Sequence, residues 1–163
     1  LRHAEDLAAA RIPFIFDPGQ GLPMFSGEEV LHFLDLAHSA CFNDYEARLA
    51  CDRTGRSLDD LAGRLEALIV TRGAEGSHIY AGGRRINIPC APAPAVVDPT
   101  GCGDAYRAGL LYGIARNWEW ERTGRLASVM GAIKVASRGG QNHGPSRGEI
   151  TDCFVAAFGE APW

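Results

Sequence analysis

The sequence predicts an α/β fold: a three-layer sandwich on a mostly parallel sheet, with one β-hairpin. Three observations carry this. Short apolar, β-prone runs at 12–16, 39–42 and 68–71 each end in turn or capping residues. Capped segments of helical period separate them, the alternation expected of a parallel sheet with crossover helices. Gly82-Gly83 then joins two further strand candidates, 77–81 and 84–89, as in a tight hairpin.

The elements follow in order. The chain opens at Leu1 in what reads as the middle of a helix. The first strand, 12–16, has Pro13 near its start and is stopped by Asp17-Pro18-Gly19. Asp17 fits either a turn or the ligand-bearing end of a strand. Ser26-Gly27-Glu28-Glu29 caps a helix whose apolar face is Val30, Phe33, Leu34 and Ala37. After strand 39–42, Asn43 caps a helix over 45–51. Ser57 caps another, with Leu61, Leu65 and Leu68 apolar. A Pro-rich connection, 91–94, leads to helices at 105–116, about 121–138 and about 149–158. Trp118 and Trp120 are expected to pack rather than stack on bases. His143, alone in the loop 139–145, is expected to face solvent or hold a structural hydrogen bond.

Length and composition bound the function. A chain of 163 residues with 46% hydrophobic and 22% charged residues is expected to fold as one globular domain. A net charge of −4 argues against a general nucleic-acid binder. No apolar run reaches membrane-spanning length. The five cysteines, Cys41, Cys51, Cys90, Cys102 and Cys153, form no Cys-x-x-Cys pair and are expected as reduced thiols in the cytoplasm. Cys102 reads either as a reactive thiol at a helix start or as a small residue in place of Ala.

The run 97–106, Val-Asp-Pro-Thr-Gly-Cys-Gly-Asp-Ala-Tyr, is the most informative. Small residues between two aspartates let the backbone bend and a ligand approach closely. Free N–H groups at a helix start bind anions. Asp104 among them suits removal of a proton from an alcohol attacking a phosphate. Asp104 as a helix-start acid, and 98–101 as a plain turn, remain open on these residues alone. Asn43 and Glu46 likewise share the spacing of a capping box and of a metal site.

Asp98-Pro99-Thr100-Gly101-Cys102-Gly103-Asp104 resembles the Asp-Thr-x-Gly-Ala-Gly-Asp signature of the ribokinase-like (PfkB-type) kinases of sugars and nucleosides. Asn43-Asp44-Tyr45-Glu46 resembles their Asn-x-x-Glu motif, and the segment 70–76 their Thr-x-Gly-x-x-Gly segment. Gly139-Gly140-Gln141-Asn142-His143 falls where the family closes over the nucleotide. The resemblance implies an ATP-dependent phosphotransferase acting on a primary hydroxyl. Asp104 is then the base, and the amides of Gly101, Cys102 and Gly103 the anion hole. Asn43 and Glu46 act near Mg²⁺ and phosphate, and Thr71, Gly73, Gly76 and Gln141 contact the nucleotide. Asp98 and the 139–141 backbone lie near a monovalent-cation (K⁺) site that some members possess. The combination is most similar to bacterial adenosine-kinase-like members. A ribose or fructose kinase is the alternative, and a non-catalytic nucleotide-binding fragment a third reading. The match spans most of the chain but about the C-terminal half of the family's usual length. The expectation is therefore the ATP-binding, catalytic half of one domain over 1–163, lacking its N-terminal half, and so a homodimer or companion chain.

Overall fold

The computed structural model describes residues 1–163. It is an α/β chain with a five-stranded sheet, ordered β1-β2-β3-β4-β5. The chain divides into two compact units: Leu1–Arg72 with His78–Ile86, and Gly73–Ser77 with Asn87–Trp163.

In the first unit, α1 (Arg2–Ala9) precedes β1 (Ile15–Phe16). β1 is shorter than the run 12–16 suggests, because Pro13 has no N–H to give a ladder; Ile12 is exposed. A 3₁₀ turn over Gly19–Met24, absent from the sequence reading, buries Leu22 completely. Ser26 and Glu29 form a reciprocal capping box on α2 (Gly27–Leu36). β2 (Ser39–Asn43) lies parallel to β1 and to β3 (Ala67–Thr71), in a register pairing Ile15 with Ser39 and Asn43 with Thr71. Between β2 and β3 come α3 (Asp44–Thr54) and α4 (Leu58–Ala62). α4 ends at Gly63, so Leu65 falls in the following turn and Leu68 in β3.

β2 and β3 are buried over four successive residues, as a strand covered on both faces must be. Phe16 stacks on Phe33 at 4.6 Å and meets Phe42 edge-on at 6.1 Å, at the centre of this core. β4 (Ser77–Ala81) and β5 (Arg84–Ile88) form the expected hairpin. Gly82 and Gly83 have φ of 56° and 70°, the double positive φ that a two-residue turn of this hand demands.

The second unit packs α5 (Cys102–Ile114), α6 (Trp120–Val135) and α7 (Arg147–Phe158). α5 and α6 approach so closely that a Cβ on Gly109 would lie 2.5 Å from Ala127 Cα. Leu126, Val129, Ala132 and Phe154 form the core. Trp118 packs against Tyr112 and beneath the Arg122 guanidinium, the packing role expected of it. The connection before α5 is tied to α6 by Ser128, whose hydroxyl accepts from the Ala91 N–H and donates to the Pro89 carbonyl.

Candidate active site

Each unit carries one group of the residues singled out by sequence. In the first unit the group sits at the C-terminal ends of β2 and β3, the rim where parallel sheets place ligands. Parallel register sets Asn43 beside Thr71, whose hydroxyl donates to the Phe42 carbonyl at 3.3 Å. Asn43 Oδ1 accepts from the Glu46 N–H, and Glu46 Oε2 accepts from the Asn43 N–H, both at 2.8 Å. The capping box is therefore formed, and it fixes both side chains at the rim. It engages only one oxygen of the Glu46 carboxylate. Hard-oxygen donors held this way suit Mg²⁺ through water, since that ion keeps several of its waters.

In the second unit, Gly73 and Gly76 bracket a 3₁₀ turn, with the Gly76 N–H donating to the Gly73 carbonyl. The buried Ser77 hydroxyl, next in the chain, lies 2.6 Å from the Tyr106 hydroxyl of α5. α5 begins three residues before the expected Ala105. Gly101 supplies the reason: at φ 81° it turns the chain into the helix, and the Cys102 N–H donates to the Pro99 carbonyl. A Cβ on Gly101 would stand 2.7 Å from the Gly140 carbonyl oxygen, so the start of α5 and the 139–140 loop touch. The three amides expected to bind an anion thus differ. That of Cys102 is engaged within the chain, whereas those of Gly101 and Gly103 donate to no backbone carbonyl.

Asp104 lies in the first turn of α5 with its carboxylate 78% exposed. Arg107, one turn on, donates to its Oδ1 at 2.6 Å. Asp98 is the anchor of the turn. Its Oδ1 accepts from the Thr100 N–H and its Oδ2 from the Gly139 N–H, 2.9 and 2.8 Å away. These N–H groups, with a lesser contribution from the Thr100 side chain and the Lys134 charge, hold its carboxyl pKa down to about 2. Asp98 thus bridges the start of α5 to the 139–140 loop. Gln141 is exposed beyond that loop. Partial burial pushes the Cys102 thiol pKa up, which opposes the reactive-thiolate reading and favours the small-residue one. All five cysteines are free.

Three features escaped the sequence reading. Arg107 is not singled out there, though an arginine three residues after an acid on a helix signals the pair. His143 Nδ1 is buried without a hydrogen-bond partner, where solvent or a structural bond was expected. Lys134 is completely buried on α6, and its Nζ donates to the carbonyls of Asp98 and Ser137 at 2.8 and 2.9 Å.

The model of the pfkB family of carbohydrate kinases matches residues 1–147. The chain belongs to that family. It is similar to the solved nucleoside kinase of Burkholderia thailandensis in complex with inosine, with 52% identity and a TM-score of 0.96 over 98% of this chain and 53% of the other. The same kinase in complex with ADP-inosine gives the same identity and TM-score over 98% of this chain and 50% of that one. A nucleoside kinase of Methanocaldococcus jannaschii is 36% identical over 84% of this chain and 45% of its own length. The chain therefore spans about half the length of the relatives it matches, and the α/β class with its mixed sheet is that of ribokinase-fold kinases. No helix is long and apolar enough to cross a membrane.

Proposed function

We propose that this chain is the ATP-binding and catalytic half of a nucleoside kinase, transferring the γ-phosphoryl group of ATP to a primary hydroxyl of the nucleoside. The observation that carries the reading is the start of α5: an exposed Asp104 carboxylate beside the Gly101 and Gly103 amides, in a chain 52% identical to a kinase solved with inosine. Asp104 takes the hydroxyl proton as the new O–P bond forms. The Gly101 and Gly103 amides stabilise charge on the transferring group. By the family resemblance, Thr71, Gly73, Gly76 and Gln141 are the residues assigned to the nucleotide. Asn43 and Glu46 act through water on the Mg²⁺ that accompanies ATP and offsets phosphate charge. Phosphoryl transfer depends on alignment more than on covalent chemistry, which suits a carboxylate fixed on a helix.

The half-length of the chain against its relatives supports a companion segment. β1 is an edge strand, and beside it an apolar cavity of about 340 Å³ is lined by Phe14, Phe16, Phe25 and Phe33. That edge is the place for the rest of a longer kinase or a second copy to pair. Free thiols fit a cytoplasmic setting.

The test is ADP release by the purified protein with adenosine, inosine, ribose and fructose, beside ATP titration by calorimetry. Turnover with the nucleosides well above that with the sugars is expected. ATP binding without turnover would move the reading to a nucleotide-binding fragment, and absence of ATP binding would overturn both.

A further inference from the structure

Lys134 is the single lysine of the chain; the other fifteen of its sixteen basic residues are arginine. It is also completely buried, in an apolar stretch of α6 between Ile133 and Val135. A buried ammonium is costly unless it is paired and hydrogen-bonded, so its position has to be explained by its partners. Those partners are backbone oxygens. Nζ donates to the Asp98 carbonyl, at the start of the phosphate-type turn, and to the Ser137 carbonyl, just past α6. The Asp98 carboxylate joins the same cluster, accepting from the Thr100 and Gly139 N–H groups and feeling the Lys134 charge.

Carbonyl oxygens converging beside a carboxylate are the donor set of a hard monovalent cation. Here the positive charge at those oxygens belongs to the protein. Lysine suits the role and arginine does not: an ammonium is a compact point charge, whereas a guanidinium is a broad planar fork. That explains why a chain that uses arginine at every other basic position has lysine at this one. The arrangement therefore does not fit the monovalent cation that the family resemblance implies near Asp98, because an ammonium is already seated on the Asp98 and Ser137 carbonyls.

We infer that Lys134 is a tethered replacement for a monovalent metal ion, holding the Asp98 turn and the 137–139 loop in place so that the protein needs no K⁺. Lys134 is a positioning residue: it holds the turn that presents Gly101, Gly103 and Asp104. Its consequence for nucleotide binding rests on the kinase reading, but its consequence for stability does not.

The experiment is thermal unfolding of the purified protein in KCl, NaCl, NH₄Cl and choline chloride at matched ionic strength, repeated for Lys134→Ala and Lys134→Met. The native protein is expected to melt at the same temperature in all four salts. Lys134→Ala opens space at the carbonyls; it should melt lower in choline by on the order of 10 °C and recover, saturably, in KCl or NH₄Cl. Lys134→Met fills the space without a charge and should stay destabilised in every salt. A purely structural lysine would show no such ion-selective rescue. Native stability rising with K⁺ over choline would overturn the inference. So would a Lys134→Ala protein that recovers, or folds, no better in KCl or NH₄Cl than in choline.

Discussion

Two helix starts carry the motifs of this chain, and they are built in opposite ways. At α3, Asn43 and Glu46 close a reciprocal box, so the first amides of the helix are satisfied by side chains. At α5, the N-cap is Gly101, which has no side chain to offer, and the Gly101 and Gly103 amides donate to no backbone carbonyl. The first arrangement contributes stability locally and orients two oxygen-bearing side chains. The second leaves donors for something outside the chain, and its geometry is held from a distance, by Asp98 and Lys134. A capped start thus reads as scaffold, and an uncapped glycine start supported by a buried ammonium reads as a binding element.

The contrast makes Asp104 the residue with most to lose in activity and little to lose in stability. Asp104→Asn keeps the shape but cannot take the proton, and turnover should fall by on the order of a hundredfold to ten-thousandfold. Because the anion-binding groups are backbone, ATP affinity by calorimetry should stay within about threefold. Turnover retained in the variant would remove Asp104 from the role of base. Gly101→Ala tests the same helix start from the side of stability. A residue with a Cβ is strained at φ 81° and meets the Gly140 carbonyl, so a loss of about 1–3 kcal/mol is expected. A lower melting temperature together with weaker ATP binding supports the reading. An unchanged melting temperature would show that the turn relaxes without cost.

Much of this was legible in the residues because the signals are local. The parallel strands at 39–42 and 68–71, the Gly82-Gly83 hairpin and three side-chain caps follow from periodicity and turn chemistry within a few positions. The short β1 was misjudged at its start because Pro13 outweighs the apolar run around it. The end of α4 was misplaced because Leu65 and Leu68 fit a helical period but belong to a turn and a strand. At the start of α5, spacing singled out Asp98, Gly101 and Asp104 as candidates. It did not show that the Cys102 amide is engaged by Pro99, a matter of one φ angle at Gly101. Lys134 was legible only as an anomaly, one lysine in an apolar helix. Its carbonyl partners stand 36 residues before it and three after it, a pairing that only the fold creates.

Acid sensitivity tests the distant support of α5. Asp98 has a folded-state pKa of about 2, below the ordinary 3.8. The unfolded chain therefore binds more protons as pH falls through this window. The Asp98 contribution is full above about pH 4–5, and it is lost progressively as pH falls through about 2. Asp98→Asn, whose amide cannot accept both the Thr100 and Gly139 N–H groups, should melt lower near neutral pH and show a flatter decline between about pH 4 and pH 2. Parallel melting curves for variant and native protein across that range would mean that these two hydrogen bonds contribute nothing net.

The smallest expected change in stability is at α3, where it decides whether Glu46 has a second use. Glu46→Gln keeps an oxygen to accept the Asn43 N–H and keeps the N–H that Asn43 accepts, so the box survives. What is lost is a negative charge near the positive end of the helix, worth about 0.3–1 kcal/mol. Asn43→Ala removes the cap and should cost more, about 0.5–2 kcal/mol. Melting temperature therefore orders the variants, with Glu46→Gln nearest the native protein. If the carboxylate also acts through water on the Mg²⁺ of the nucleotide, the Mg²⁺ needed for half-maximal turnover should rise about tenfold or more in Glu46→Gln. A neutral residue orders that hydration shell less well than a carboxylate does. A Glu46→Gln protein with native melting and an unshifted Mg²⁺ requirement would leave Glu46 as a cap alone. The two helix starts would then differ in kind, one purely structural and the other holding the chemistry.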